Sequence, residues 1–198
     1  MAGSTKDDIN DEIKHIFYSH SYYNSNIDPS ITNSFATAAY RFGHSMIQGL
    51  IKMMSTVTFV QQNEFLLRDH YFNMENYFLN GGEGMEQLIA GLITQPAQDM
   101  DRFVTEEATN FLFPEKGEDF GSDLVARNIQ RGRDHGLPGY NSWRSFCGLN
   151  KIKNMKDRPA EISKSNWKKL KSIYSSPNQI DLFVAGLAER KVSGGKDC

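Results

Sequence analysis

The residues best suited to chemistry lie between Asp123 and Asn141, where Arg127, Asn128, Arg131, Arg133, Asp134 and His135 crowd around a Gly136-Leu137-Pro138-Gly139 turn. An apolar lead-in (Leu124, Val125, Ala126) and an aromatic exit (Tyr140, Trp143, Phe146) flank this polar loop, so it is expected to be partly buried. Buried charge is tolerated only when it is paired. These side chains must therefore pair with one another or with an anionic or metal-bearing partner.

A second candidate stands some eighty residues earlier. His44 falls with Tyr40, Ile47 and Ile51 on one face of a helical pattern, with Arg41 one turn before it and Gly43 beside it. The plainest reading of such a histidine is a hydrogen-bonded core residue. Its chemical reading is an axial ligand of haem iron through one ring nitrogen. The other nitrogen then needs an acceptor that fixes the tautomer, and the side-chain oxygen of Asn128 would serve. Arg41 and Arg131 suit the two carboxylates of such a group, because a guanidinium binds a carboxylate through two parallel N–H bonds. Spacing alone does not bring helix and loop together.

The positioning elements are expected to be helices. Asp28-Pro29 offers a cap followed by proline at the first helical position. A stripe of Ile31, Phe35, Ala38, Phe42, Met46, Leu50 and Met53 carries that helix to about Ser55. Thr56 to Tyr77 reads as extended or irregular chain leading into a short helix, with His70 structural. Further helices are expected at Gly84–Thr94, Asp101–Phe113, Tyr140–Leu149 and from Pro159 through Trp167, Leu170, Ile173 and Tyr174. Ile180–Leu187 is short and apolar. Before Tyr22 a polar lead carries one short helix, Asp8–Phe17, with His15 and His20 facing solvent. Strand signals are weak, so the fold class is all-α.

Composition narrows the rest. The 198 residues suffice for one domain or a large piece of a bigger one. A net charge of -2 argues against a nucleic-acid partner. Aromatics at 12% argue against disorder. No window reaches the roughly 20 apolar residues of a membrane span. The opening Met1–Asp8 has no apolar signal core, which points to an intracellular protein or to a missing upstream part. The two cysteines, Cys147 and Cys198, allow one disulfide.

Tyr40-Arg41-Phe42-Gly43-His44 together with Asn128-Ile129-Gln130-Arg131-Gly132-Arg133-Asp134-His135-Gly136-Leu137-Pro138-Gly139-Tyr140-Asn141 resembles the animal haem peroxidases. Ile27–Ile31, Leu92–Ala97, Phe146–Leu149 and Ile180–Phe183 resemble the same family, in its order. The resemblance covers roughly Tyr22 to Gly186, with residues 1–21 a doubtful lead and 22–198 the proximal part of the domain. It implies a mainly helical peroxidase-like fold, incomplete because the distal half is absent. It implies haem as cofactor, His44 as the proximal iron ligand and Asn128 as its hydrogen-bond partner. Arg41 and Arg131 would then lie near the propionates. Arg133, Asp134 and His135 are expected to form an internal ion-pair and hydrogen-bond network.

The family disulfide would join Cys147 to a downstream cysteine, with Cys198 the candidate, and the setting would be extracellular or secretory. The family's distal histidine, calcium loop and catalytic arginine precede the proximal helix, and no segment here matches them, so no catalytic residue is assigned and no calcium site is expected. The whole protein would reduce hydrogen peroxide and oxidise a halide or organic donor. The alternative is a non-catalytic peroxidase-like module with an adhesion or assembly role. In the fragment reading the face bearing His44, Ile47 and Ile51 is left exposed for the missing distal half.

Overall fold

The computed structural model describes residues 24–115 and 117–192. The expected helix Asp8–Phe17, His15, His20 and Cys198 lie outside them. The chain divides into two units at Ile31/Thr32. In the described part of the first, Asp28 accepts from the Ser30 amide at 2.9 Å, a local turn of the kind aspartate favours. It does not start the helix expected there.

The second unit is mainly helical. It opens with α1 (Asn33–Thr37), capped by Thr32, whose hydroxyl accepts from the Phe35 amide. The expected 28–55 helix is in fact three pieces. The Thr37 hydroxyl turns back onto the Asn33 carbonyl at 2.5 Å, a contact that bends helices, and Ala38 leaves helical geometry at φ -137°, ψ -61°. A 3-10 helix, Ala39–Met46, follows and carries His44. Ile47 is then extended, and β1 (Leu50–Met54) pairs antiparallel with β2 (Gln61–Leu66) in the register Leu50↔Leu66 to Met53↔Asn63. The apolar spacing that reads as a continuing helix is, past Met46, the alternation of a strand with Met53 fully buried. The extended segment expected between Thr56 and Tyr77 is present as β2, followed by a 3-10 turn at Leu67–His70.

Helix α2 (Glu83–Thr94) buries its small residues Gly84, Ala90 and Gly91, and Gly91 lies directly against the Lys52–Met53 backbone of β1. Gln95, just past its end, accepts from the Lys52 amide at 3.1 Å and donates to the Leu50 carbonyl at 2.7 Å, closing the free edge of β1. The outer face of α2 leaves Met85, Ile89, Leu92 and Ile93 exposed. The 101–113 helix is realised only as α3 (Glu106–Thr109), capped by Thr105. Beyond it Leu112 pairs with Ser122 in an isolated bridge.

Glu107 on α3 is buried and paired with Arg68, at 2.7 Å to Nε and 2.5 Å to Nη2, and Arg68 stacks 3.4 Å from the Phe111 ring centroid. These bonds from Arg68 hold the Glu107 carboxyl below its ordinary range, against the opposing effect of burial. A carboxylate with a depressed folded pKa gives stability that is present above the unfolded value and lost as pH falls through the folded one. The urea midpoint should therefore drop on acidification below about pH 4.5. In Glu107→Gln the midpoint should be lower at neutral pH and the acid slope shallower; an unchanged slope would remove Glu107 from the acid response.

Helix α4 (Leu124–Asp134) replaces the expected loop. Asp123 caps it, accepting from Val125 and Ala126. It stops at His135 because Gly136 takes φ +65°, the left-handed conformation that ends helices, with Pro138 after it. Helices α5 (Tyr140–Phe146), α6 (Lys164–Ile173) and α7 (Leu182–Ala188) surround Trp167 with Tyr140, Ile152, Ile162, Leu170 and Ile180. Helix α6 begins five residues after Pro159, because Ser163 is the residue whose hydroxyl caps it. A second apolar cluster joins Ala38, Phe183 and Leu187 with Phe42, Val125 and Ile129, fixing the His44 segment to α4 and α7. Among the described residues no helix is long and apolar enough to cross a membrane.

Candidate functional site

The contact across which the site is built is short: His44 Nδ1 lies 2.7 Å from Asn128 Nδ2, joining residues 84 apart in sequence. Each partner is placed by its own element. Asn128 sits in the middle of α4 and is fully buried. His44 is on the 3-10 helix, which Phe42 anchors in the second cluster. His44 itself is half-buried, as are Ile47 and Ile51.

Arg41 completes the group. Its Nη1 donates to Asn128 Oδ1 at 3.3 Å, and its Nε donates to the Ala36 carbonyl at 3.2 Å. The oxygen expected to face His44 is therefore turned to Arg41, and the amide nitrogen faces the imidazole. Burial lowers the His44 pKa, the positive charge of Arg41 lowers it further, and the Asn128 contact raises it. The two lowering effects favour the neutral ring, the protonation state in which imidazole binds metals.

Arg131 is one turn beyond Asn128 on α4, exposed, and makes no hydrogen bond or ion pair with the other three among the described residues. A Cβ at Gly43 would meet nothing within 4 Å, so the space beside the His44 backbone is open. A cavity of about 610 Å³ between α4 and the C-terminal helices is lined by Asn128, Ile129, Arg133, Leu137, Asp181 and Phe183 among others, but not by His44.

The other polar residues of the motif are paired within the chain. Arg133 donates to both oxygens of Asp181 at 2.9 and 2.8 Å, Tyr174 donates to the same carboxylate, and Asp134 accepts from Gln130. His135 Nδ1 meets Asn33 Oδ1 at 2.9 Å. That last contact ties α1, which precedes the His44 segment, to the end of α4, and Asn33 carries no sequence signal that would have pointed to it. His70 packs edge-on against Phe65, ring centroids 4.2 Å apart. Cys147 is exposed at the end of α5.

A helical unit in which a half-buried histidine from one segment meets a buried asparagine from the next helix defines a class, and comparison identifies it. The animal haem peroxidase family profile matches residues 5–197. The chain is 37% identical to peroxidasin of Drosophila melanogaster over 178 residues, 88% of this chain and 12% of that protein. It is 39% identical to thyroid peroxidase of Homo sapiens over 171 residues, 84% of this chain and 18% of that one. Peroxidase A of Dictyostelium discoideum superposes with a TM-score of 0.75 at 34% identity, over 90% of this chain and 33% of that structure. The chain belongs to the animal haem peroxidase family, and it spans a third or less of the length of these relatives.

Proposed function

We propose that this chain forms the histidine-bearing side of a haem site, and that the protein it serves reduces hydrogen peroxide while oxidising a halide or organic donor. The contact between His44 and Asn128 carries the reading, since an iron-ligating imidazole has its other nitrogen oriented by a hydrogen-bonding partner. The residues fit the group. Burial and the Arg41 charge favour a neutral His44, its Nδ1 is anchored, and no hydrogen bond among the described residues occupies its Nε2. Open space adjoins Gly43, and Arg41 and Arg131 offer guanidinium groups for carboxylates. Bound there, haem would supply the redox centre at which peroxide is reduced. The chain's own contribution is to hold the ring, neutralise the carboxylates and exclude water from the buried Asn128 side.

Proton transfer between the peroxide oxygens needs a base on the opposite face. His70 and His135, the other described histidines, are engaged in packing and in the Asn33 tie. No base is therefore assigned within this chain. The family setting also makes an extracellular or secretory location the natural one, where Cys147 would pair with a second cysteine.

The test is a haem titration of the full chain, followed at the Soret band, for wild type, His44→Ala and Asn128→Ala. The expected result is a shifted Soret band for wild type, its loss in His44→Ala, and affinity about 10–100-fold weaker in Asn128→Ala. Identical spectra for wild type and His44→Ala would reject the ligand and leave a non-catalytic module as the better account.

A further inference from the structure

Charge is sorted along this chain. The whole has a net charge of -2, yet between Asn150 and Tyr174 eight lysines and arginines stand against two acids, Asp157 and Glu161. All eight cations are exposed. Neither acid serves them: Glu161 is taken by Arg144 at 2.8 Å, and Asp157 accepts from the Asn154 amide at 2.6 Å. Arg158 donates to the Pro159 and Ile162 carbonyls. The other seven are lysines, and none of their ammonium groups has an ion pair or hydrogen bond among the described residues. Crowded like charges repel one another and work against the folded state, so the run is explained best by a partner that neutralises it.

The fold gathers the run instead of dispersing it. Lys151 and Lys153 flank the buried Ile152, and Lys164, Lys168 and Lys171 recur at steps of four and three on α6, a single stripe that excludes the buried Trp167 and Leu170. Ile152, Trp167 and Leu170 share one apolar cluster. The Trp167 indole donates to the Met155 carbonyl at 3.2 Å, which lays the loop against the helix. From Lys164 to Lys171 the stripe runs about 10 Å along the axis. On the loop, a depression of about 470 Å³ is lined by Asn150, Lys151, Lys153 and Arg158 among others.

We propose that this surface binds a sulfated polysaccharide, the depression taking one acidic sugar unit and the α6 stripe meeting successive sulfates of the same polymer. Asn150 adds an amide suited to sugar hydroxyls. A single-stranded nucleic acid would want aromatic faces on which to stack its bases. Here Trp167 is buried, and Tyr174 is half-buried with its hydroxyl on Asp181. A helix lying in a lipid surface presents a whole apolar face beside its lysines, whereas Ile173 is the one large apolar side chain that α6 exposes. No residue of this surface belongs to the His44 site, so it stands or falls apart from the haem reading.

The test is titration of the full chain with a fluorescent heparin decasaccharide. Affinity should fall about tenfold or more between about 50 and about 200 mM salt, because each ammonium that meets a sulfate releases a counterion. Lys168→Gln with Lys171→Gln should weaken binding about tenfold or more, and so should Lys151→Gln with Lys153→Gln. Lys168→Arg with Lys171→Arg keeps the charge and should bind as wild type does. These side chains are exposed and unpaired among the described residues, so the variants should keep the wild-type circular dichroism. Equal affinity for desulfated heparin would overturn the proposal, as would glutamine pairs that bind like wild type. Tighter binding to duplex DNA or to phosphatidylserine vesicles would also overturn it, by assigning the surface to a different polyanion.

Discussion

Gly91→Ala should unfold or severely weaken this protein, by about 3 kcal/mol or more in urea denaturation. A Cβ at that position would lie 1.8 Å from the Lys52 carbonyl oxygen, 2.8 Å from its carbonyl carbon and 3.5 Å from Met53 Cα. Both surfaces are backbone, so no rotamer change relieves the overlap. Helix α2 would have to lift off β1 and take with it the Gln95 bonds to Leu50 and Lys52. Because β1 begins four residues after the 3-10 helix ends at Met46, haem affinity should fall with stability. Gly43→Ala is the informative contrast. Its Cβ meets nothing within 4 Å, so stability should hold or rise by about 0.5–1 kcal/mol. Reduced Soret binding in that variant would then report the approach of the ligand itself, whereas a stable Gly91→Ala protein would refute the close packing of α2 on the hairpin.

Asn141→Leu has the second largest expected effect, about 3 kcal/mol, read as a lower urea midpoint without a change in slope. Asn141 is buried beside the aromatic core and binds both backbone groups of Ile152, accepting from its amide at 2.7 Å and donating to its carbonyl at 3.1 Å. It also donates to Asn178 Oδ1 at 2.7 Å. Leucine keeps the branched shape and the number of heavy atoms but leaves these groups unpaired, at about 1–3 kcal/mol for each one kept from water. The side chain therefore acts as the strand partner that the irregular 147–163 segment lacks. Asn154→Ala, by comparison, touches only exposed groups and should change little. A loss under about 1 kcal/mol in Asn141→Leu would mean that water reaches Ile152 and that the segment is loosely held.

What the sequence makes legible is set by where each interaction is decided. Helix α2 and the end of α4 are written locally: Gly81-Gly82 and Pro96 bound the first, and Gly136 with Pro138 ends the second. Asp28-Pro29 carries equally strong local signals, yet Asp28 caps a turn and Thr32 caps the helix. The choice is made downstream, where Ala38 must enter the cluster with Phe183 and Leu187. The strand at Leu50–Met54 is hidden for the same reason, since its pairing with Gln61–Leu66 and its cover by Gly91 are tertiary facts. At the site, the pairing of His44 with Asn128 follows from the family motif, and the two side chains do meet. The additional contact of the Asn128 side chain with Arg41 does not follow from the motif, because it depends on the 3-10 winding of the Ala39–Met46 segment. Arg131, equal to Arg41 on the page, is exposed and shares none of the hydrogen bonds that join Arg41, Asn128 and His44 among the described residues.

The winding of the Ala39–Met46 segment has a consequence of its own. A 3-10 helix turns once in three residues, so side chains three apart eclipse one another. Arg41 and His44 therefore project in the same direction from the axis, whereas 3.6 residues per turn would splay them by about 60°. The Arg-x-x-His spacing is thus a two-pronged fork set to straddle a single buried amide. Converting the segment to regular α-helix, for instance by alanines at exposed positions, should spread the prongs so that Asn128 can engage either one but not both.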